Sequence, residues 1–403
     1  MAKPLDGIRV ADFTWVWAGP TCTMQLAHMG AEVIRMETSK RICTIRMLPP
    51  WPGGQPNPNR SGYFNQYNQG KRAILLDLSK PEGAAIARRI VEMSDIAVEN
   101  FAGGVIDKLG LGYDELKKVN EDIIMMSMSG YGVNGPESKY VSYGPAQVPM
   151  SGLSSLTGYR GEGPMHVGMS YGDPNAGLHA AFAVIAALYY RDRTGKGQYI
   201  DMSQWESSMA VLGDAFMHQV MNGAQPERDG SHDPNMAPHN VYRCAGEDRW
   251  VSIAVGNDAE WRALCGAMGR RELADDARFK TLADRKANED ALDGEVEAWT
   301  SSRDPFEVTQ ALQAVGVAAY PPLVNREVME SEHLATREFW VEREHLEVGV
   351  RRHAGIPWHL SETPLAVTRA APVMGQDNDY VFGELLGMSG AEIADLVERE
   401  VIK

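Results

Sequence analysis

Asp173 lies between a glycine and a proline in SYGDPNAG (170–177), directly ahead of the apolar run LHAAFAVIAALYY. Two kinds of chemistry suit a carboxylate there. Aspartate is a favoured helix N-cap and Pro174 suits the first helical position, so Asp173 can cap a helix whose Leu178, Phe182, Ile185 and Leu188 recur at helical spacing. The run is apolar on every side, which predicts a buried helix. Its partial positive N-terminus would keep Asp173 ionised. An ionised carboxylate with little hydration can attack an activated carbonyl and form a covalent acyl intermediate. Gly172 would let a substrate approach the backbone closely. Capping is the commoner role of such an aspartate, and the residues alone leave both roles open.

Other segments could meet an anionic ligand. NFAGGV (100–105), MSGYGVNGP (128–136) and RTGKGQ (193–198) are glycine-rich. None follows the first apolar run as GxGxxG and none reads GxxxxGK[ST], so turn formation accounts for them better. Lys71, Arg72, Lys108 and Lys139 stand near the ends of apolar runs and could neutralise phosphates, although each alone reads as a solvated surface charge. Trp15, Trp17, Met125, Met126 and Met128 could line an apolar pocket, because methionine adapts to irregular shapes; for methionines in a strand, core packing is the default. Cys22, Cys43, Cys244 and Cys265 show no CxxC spacing, and the ten histidines include no HExxH. That pattern speaks for reduced, structural thiols in a cytoplasmic protein and against a metal site.

The elements that must position these residues are legible as apolar runs. IRVADF (8–13), AEVIRME (31–37), AILLDL (73–78), IAVEN (96–100) and IIMMSMSG (123–130) have strand length. Pro20 opens a helix that Gly30 stops, and Pro81 opens EGAAIARRIVEM, which is apolar at helical spacing. Strands alternating with helices predict an α/β fold with a parallel sheet covered on both faces. Ligands of such sheets sit beyond the carboxyl ends of the strands, which gathers Trp15, Trp17, Asn100, Phe101 and Ser129 around a candidate site. The stretch 222–240, rich in Gly, Pro, Asn and Asp, reads as a linker, and RWVSIAV (249–255) opens a smaller second domain.

Composition bounds the partners. A chain of 403 residues, 44% hydrophobic and 23% charged, has room for two domains and a large core. A net charge of −15 argues against nucleic acid, whose phosphates need a basic surface, while leaving room for a local basic cradle. No apolar run reaches the roughly 18 residues of a membrane helix, and MAKPLDGIRV lacks the order of a secretory signal.

Taken in order, LDGIRVADFT, AGP, GAEVIRME, YFNQYNQGKRAILLDL, PEG, VENFAGGVIDKLGLGYDEL, SGYGVNGP, GDPNAGLHAAFAVIAALYYRDRTGKGQYIDMSQWE, GEDRWVSIAV and PVMGQDN resemble the class III CoA-transferases, the family of formyl-CoA transferase and of carnitine and bile-acid CoA-transferases. The likeness spans nearly the whole chain. It implies a large Rossmann-like domain built from both chain ends and a smaller α+β domain. On that basis 1–221 form the first part of the large domain, 222–240 the linker, 241–325 the small domain, and 326–403 a segment returning to the large one. Two chains would interlock like links, the partner being a second copy or a related subunit. The implied reaction moves CoA from a donor thioester to an acceptor carboxylate, with CoA thioesters as substrates and no permanently bound cofactor. The family's nucleophilic aspartate falls on Asp173. Its CoA contacts fall on Val16, Trp17, Ala18, Leu76, Asp77, Leu78, Asn100, Phe101, Ala102 and Lys108, with Lys139 beside them.

Departures from the family pattern bear on the substrate. Trp17 stands where formyl-CoA transferases carry a glutamine, and their YEN motif becomes Tyr143-Gly144-Pro145. Their glycine-rich shielding loop is not visible between 222 and 260. Trp15, Trp17 and Tyr143 would therefore border a pocket for an acceptor larger than formate or oxalate. Arg46, Arg60 or Arg72 would pair with a second carboxylate. An aryl-substituted dicarboxylate with succinyl-CoA as donor, as in the benzylsuccinate CoA-transferase branch, fits that pattern. Two rivals remain: a 2-methylacyl-CoA racemase, whose second acid–base histidine is missing from KYVSYGPAQ, and a non-catalytic CoA-binding subunit, which needs no nucleophile.

Overall fold

The computed structural model describes residues 2–403. Six strands form one parallel sheet: β1 (Arg9–Asp12), β2 (Glu32–Glu37), β3 (Arg72–Leu75), β4 (Ile96–Glu99), β5 (Ile124–Ser129) and β6 (Tyr199–Ser203), in the order β3-β2-β1-β4-β5-β6. The inner strands are buried along almost their whole length, as a sheet covered on both faces requires. β6 carries no apolar run; its YIDMS alternates exposed and part-buried residues at the sheet edge, so a hydrophobic pattern cannot announce it. The chain runs outward from β1 to β3, then jumps back to place β4 beside β1. Between β1 and β4 the winding reverses, and a crevice opens there beyond the strand ends.

One sheet face packs Ile34, Ile74 and Met125 against Ile86, Ile90 and Val91 of the helix Pro81–Glu92. The other packs Val10, Val33, Val98, Met126 and Met128 against the helices Ala18–His28 and Gly172–Thr194. All three strand methionines are thus core residues. The two helices touch through small residues: a Cβ on Gly177 would lie 2.6 Å from the Ala18 carbonyl oxygen. The long helix is not buried all round. Ala176, Ala180, Ala181, Val184, Ala187 and Leu188 face the core, whereas Leu178, Phe182 and Tyr189 are 50%, 75% and 65% exposed on the single chain.

The chain divides into two compact units. The larger comprises the residues up to Ser154, His166–Ala224 and Ala335–Lys403. Its C-terminal part is tied to the sheet: the Asp377 carboxylate accepts the Ala73 N–H (2.9 Å) and pairs with Arg72, and the Lys403 carbonyl accepts the Ser39 N–H. The smaller unit is Ser155–Met165 with Gln225–Leu334. It holds the antiparallel sheet β7 (His239–Arg243), β8 (Trp250–Ala254) and β9 (Ala318–Tyr320) around Trp261, Phe279, Leu292 and Val296. Of the suggested linker 222–240, residues 225–240 are fastened within this unit. The Arg228 guanidinium donates to the Ser155 and Glu162 carbonyls, and the Gly230 N–H donates to the Gly158 carbonyl. His232 bonds Asp293 on the helix Glu289–Thr300 at 2.8 Å.

Burial lowers the His232 pKa, but the Asp293 hydrogen bond and the charges of Glu289 and Asp293 outweigh it and raise the net value. A histidine with a raised folded pKa contributes stability fully below its unfolded pKa of about 6.5 and loses it as pH rises through the folded value. Unfolding of the smaller unit, followed by Trp261 and Trp299 fluorescence, should show a midpoint that falls as pH rises above about 6.5, and His232→Gln should flatten that slope.

Candidate active site

A cavity of about 770 Å³ opens at the winding reversal. Its walls come from the segments that follow the strands: Trp15 and Val16 after β1, Thr38–Ile42 after β2, Leu76–Ser79 after β3, Asn100–Ala102 after β4 and Gly130 after β5. Tyr140–Gly144, Gln147, Gln204 and Asp173 close it. The β1–β4 junction is rigidly made. Asn100 accepts the Trp15 N–H through Oδ1 (2.7 Å) and donates through Nδ2 to the Trp15 carbonyl (2.9 Å). Next to this clamp Val16 has φ +60°, left-handed backbone that a β-branched residue adopts only at a cost of about 1–3 kcal/mol. Two hydrogen bonds at about 1 kcal/mol each, with the Val16 N–H directed at Cys43 Sγ (3.3 Å), offset much of that strain.

Asp173 is the second residue of the helix Gly172–Thr194, not its cap: Tyr171 holds the cap position, and no side chain bonds the free N–H groups there. The carboxyl is 7% exposed, and no hydrogen bond or ion pair to it is found among the described residues. Burial pushes it up to about 7, so desolvation overrides the ionising influence expected from the helix end. Its packing is close on one side. A Cβ on Gly144 would lie 2.1 Å from Asp173 Oδ2 and 2.3 Å from the Ser170 Cβ, so only glycine fits there. Gly172 meets protein rather than open space; its own Cβ would come 2.7 Å from Gln147 Oε1.

Of the residues named from sequence, Trp15, Val16, Leu76, Asp77, Leu78, Asn100, Phe101, Ala102, Tyr143 and Asp173 share this cavity. Trp17 and Ala18 do not line it. Trp17 is 4% exposed and packs edge-on with Tyr63 (5.5 Å) and tilted against Tyr67 (5.1 Å), and Ala18 is buried at the start of its helix against Gly177. The Trp17 side chain thus packs into an aromatic cluster instead of the cleft. Lys108 and Lys139 are exposed and outside the wall. Lys71 is fully buried, donating to the Pro20 carbonyl and Asn68 Oδ1 with Asp12 at 3.5 Å. Arg46 is equally buried, paired with Glu37 at 2.6 Å over the Phe64 ring, and Arg72 is engaged by Glu32 and Asp377. Arg60 does not border the cavity, and neither does Ser129. The site's accessible cations are instead Lys40, which pairs with Asp77 at 2.8 Å, and Arg41, whose guanidinium lies 5.1 Å from the Trp15 ring. Both follow β2, so the carboxyl-end rule that selected Trp15 would have found them. Gln147, bonded to Gln204 at 2.6 Å near Asp173, carried no sequence signal.

The site is thus a cleft at the strand ends with an unpaired buried carboxyl within it and two basic residues on its wall. Residues 5–378 match CoA-transferase family III. The chain is 32% identical over 400 residues to the succinyl-CoA–D-citramalate CoA-transferase of Chloroflexus aurantiacus, covering 99% of this chain and 98% of the relative. It is 36% identical over 339 residues to the acetyl-CoA:oxalate CoA-transferase of Acetobacter aceti, covering 84% and 85%. A CAIB/BAIF family protein from Brucella suis superposes with a TM-score of 0.87 at 31% identity, covering 96% of this chain and all of that one. The chain belongs to CoA-transferase family III and is an enzyme of that class.

Gly144→Ala would drive a methyl group into the Asp173 carboxyl. We expect the variant to fold with a loss of about 1–3 kcal/mol and to lose most transfer activity, as assayed by exchange of labelled CoA between acyl donors.

Proposed function

We propose that the chain moves CoA from succinyl-CoA to a carboxylic acid larger than formate or oxalate, with Asp173 as nucleophile. The observation that carries this reading is the Asp173 carboxyl itself: buried, unpartnered and facing a cavity of about 770 Å³. An unpaired buried carboxyl is unfavourable for folding, and such groups concentrate at sites of chemistry.

The Asp173 carboxylate attacks the donor thioester carbonyl and expels CoA thiolate, leaving a mixed anhydride. The thiolate attacks the aspartyl carbonyl, which releases the donor acid and forms an aspartyl-CoA thioester. The acceptor carboxylate attacks that thioester, expels the thiolate and forms a second anhydride. Thiolate attack on the acceptor acyl carbon then gives the new acyl-CoA and frees Asp173. Each tetrahedral oxyanion needs fixed donors, a role that backbone N–H groups fill. A dry pocket protects the anhydrides from water.

CoA lies along the wall formed by Val16, Leu76–Leu78 and Asn100–Ala102, with Lys40 and Arg41 as its phosphate counter-charges. Lys108 and Lys139 reach it only by extension from the rim. The relative named for succinyl-CoA and D-citramalate supports the donor. Arg46 and Arg72 are committed elsewhere, so the acceptor's far end meets the hydroxyls and amide of Tyr140, Ser142, Tyr143 and Gln147. Tyr140 and Tyr143, each 60% exposed, favour an aryl-substituted dicarboxylate.

The working unit is a dimer, with itself or with a related chain. The stripe Leu178, Phe182, Ile185 and Tyr189 is a large apolar surface to leave in water, and a second chain would cover it. Phe182→Asp should shift the native mass, by light scattering, from dimer to monomer.

Asp173→Ala should abolish transfer while leaving the circular dichroism spectrum intact, and hydroxylamine added during turnover should convert residue 173 alone to a hydroxamate by peptide mapping. Near-normal turnover in the variant would refute the mechanism. Because the ionised form attacks and burial holds the carboxyl at about 7, kcat/KM should rise with pH through about 7 and level off above it. Stability should move the opposite way. The folded state binds the proton more tightly than the unfolded one, so stability falls as pH rises from about 4 to 7. Asp173→Asn should therefore melt higher than the parent at pH 8 and not at pH 4.

A further inference from the structure

A second cavity, of about 230 Å³, lies on the other side of the loop that carries Asn100 and Phe101. Val105 borders the large cleft, while Gly104 and Ile106 border this one. Its polar lining is Glu99 from β4, Ser127 from β5, Tyr199 from β6, Asp107 from the helix Val105–Lys108, and Tyr113 and Asp114 from the helix Tyr113–Leu116. No lysine or arginine lines it. The nearest basic group by ring contact, Lys117, stands 5.9 Å from the Tyr113 ring centroid.

Asp107 and Asp114 are exposed, and by themselves they would be ordinary solvated carboxylates. The interior pair is different. Ser127 is 1% exposed and its hydroxyl has no well-formed hydrogen bond to the protein, although it is close enough to Glu99 and Tyr199 to lower their pKa values. Glu99 is 3% exposed and accepts only the Phe101 N–H, at 2.7 Å. A buried hydroxyl without a well-formed partner beside a buried carboxyl, both facing one small cavity lined by no counter-charge, suits a positive oxygen-seeking ligand.

We propose that this cavity holds one partly hydrated monovalent cation, potassium or ammonium, between Glu99, Ser127 and the Tyr113 and Tyr199 phenols, and that the cation fixes Phe101 in the wall of the CoA cleft. Carboxylate, hydroxyl and water oxygens suit such hard ions. The volume holds an ion with several waters, each taking about 30 Å³. A compact divalent chelate is disfavoured. Among the described residues the one group of three ligands converging within 4.8 Å is Asp229, His232 and Glu289, in the smaller unit. Without a cation, burial pushes Glu99 up to about 7 against the lowering effect of the nearby Ser127 hydroxyl and the Phe101 N–H, and the charges of Asp107 and Asp201 add to the rise. A bound cation favours the ionised form. The ionised carboxylate grips the Phe101 N–H more strongly, next to the Asn100 clamp on Trp15. The ion site stands without the functional reading; its effect on CoA rests on that reading.

The test is thermal unfolding of the whole chain near pH 7 at constant ionic strength, with tetramethylammonium chloride exchanged for potassium or ammonium chloride. Potassium and ammonium should raise the midpoint saturably by about 2–4 °C. The rise should vanish in Glu99→Gln, which still accepts the Phe101 N–H, and in Ser127→Val; each variant is compared with itself, so any loss of base stability does not matter. Calorimetry with free CoA should show binding about threefold tighter with potassium in the parent and no change in Glu99→Gln. Equal midpoints in all three salts would mean that the cavity holds water only and overturn the proposal. A rise given by magnesium or calcium and not by potassium overturns the choice of ion. A potassium-dependent midpoint with unmoved CoA affinity overturns the link to the cleft. Failure of CoA to bind at all counts against the functional reading, while the midpoints still report on the ion.

Discussion

An aspartate carboxyl removed from water and left without a donor is the constraint that shapes this protein. Asp173 has desolvation acting on it and no partner to balance it, so its carboxyl titrates near neutrality instead of in the ordinary acid range. Such a group persists only where the surrounding fold over-determines it. Here Gly144 lies directly against the carboxyl, the helix behind it is locked to the helix Ala18–His28 through Gly177, and that pair is buried on the sheet through Val10, Val33 and Val98. The stability of the sheet core is what keeps an unfavourable side chain in place.

The cleft wall is built on the same plan. Val16 is held in left-handed backbone by the two-bond Asn100 clamp on Trp15, so the crevice at the winding reversal is preformed rather than gathered around a ligand. Beneath it the basic residues Lys71, Arg35 and Arg46 are consumed in buried pairs with Asp12 and Glu37. Those pairs hold Glu37 at about 2, with burial opposing and Arg46 and Arg35 prevailing, so Glu37 stays anionic at the cleft edge. Removing either partner would strand a charge in the interior, which makes the network a structural floor and not a reservoir of ligand-binding charge. The cations that face the cleft, Lys40 and Arg41, sit one loop further out, where they remain accessible.

The large apolar side chains on the outer side of the long helix belong to the same design. Small residues face inward because two helices must approach closely enough to bring Asp173 to the crevice. The bulk that cannot fit between them turns outward, and an isolated chain exposes it.

Much of this was legible in the residues themselves. The apolar runs predicted five of the six parallel strands, the carboxyl-end rule selected Trp15, Asn100 and Phe101, and the ordered segments marked the family and Asp173 with it. Those features depend on local period and on neighbours along the chain, which a sequence carries directly. Burial and ionisation state depend instead on residues distant in sequence. Only the folded chain decided that Asp173 is unpaired, with burial pushing its carboxyl up to about 7, rather than a capping anion. It alone turned Trp17 into a cluster with Tyr63 and Tyr67, buried Lys71 and Arg46, fastened residues 225–240 to Ser155–Met165, and left Lys40 and Arg41 on the wall. A charged side chain reads the same in sequence whether it meets water or a buried partner, and the difference arises only when the sheet brings that partner to it.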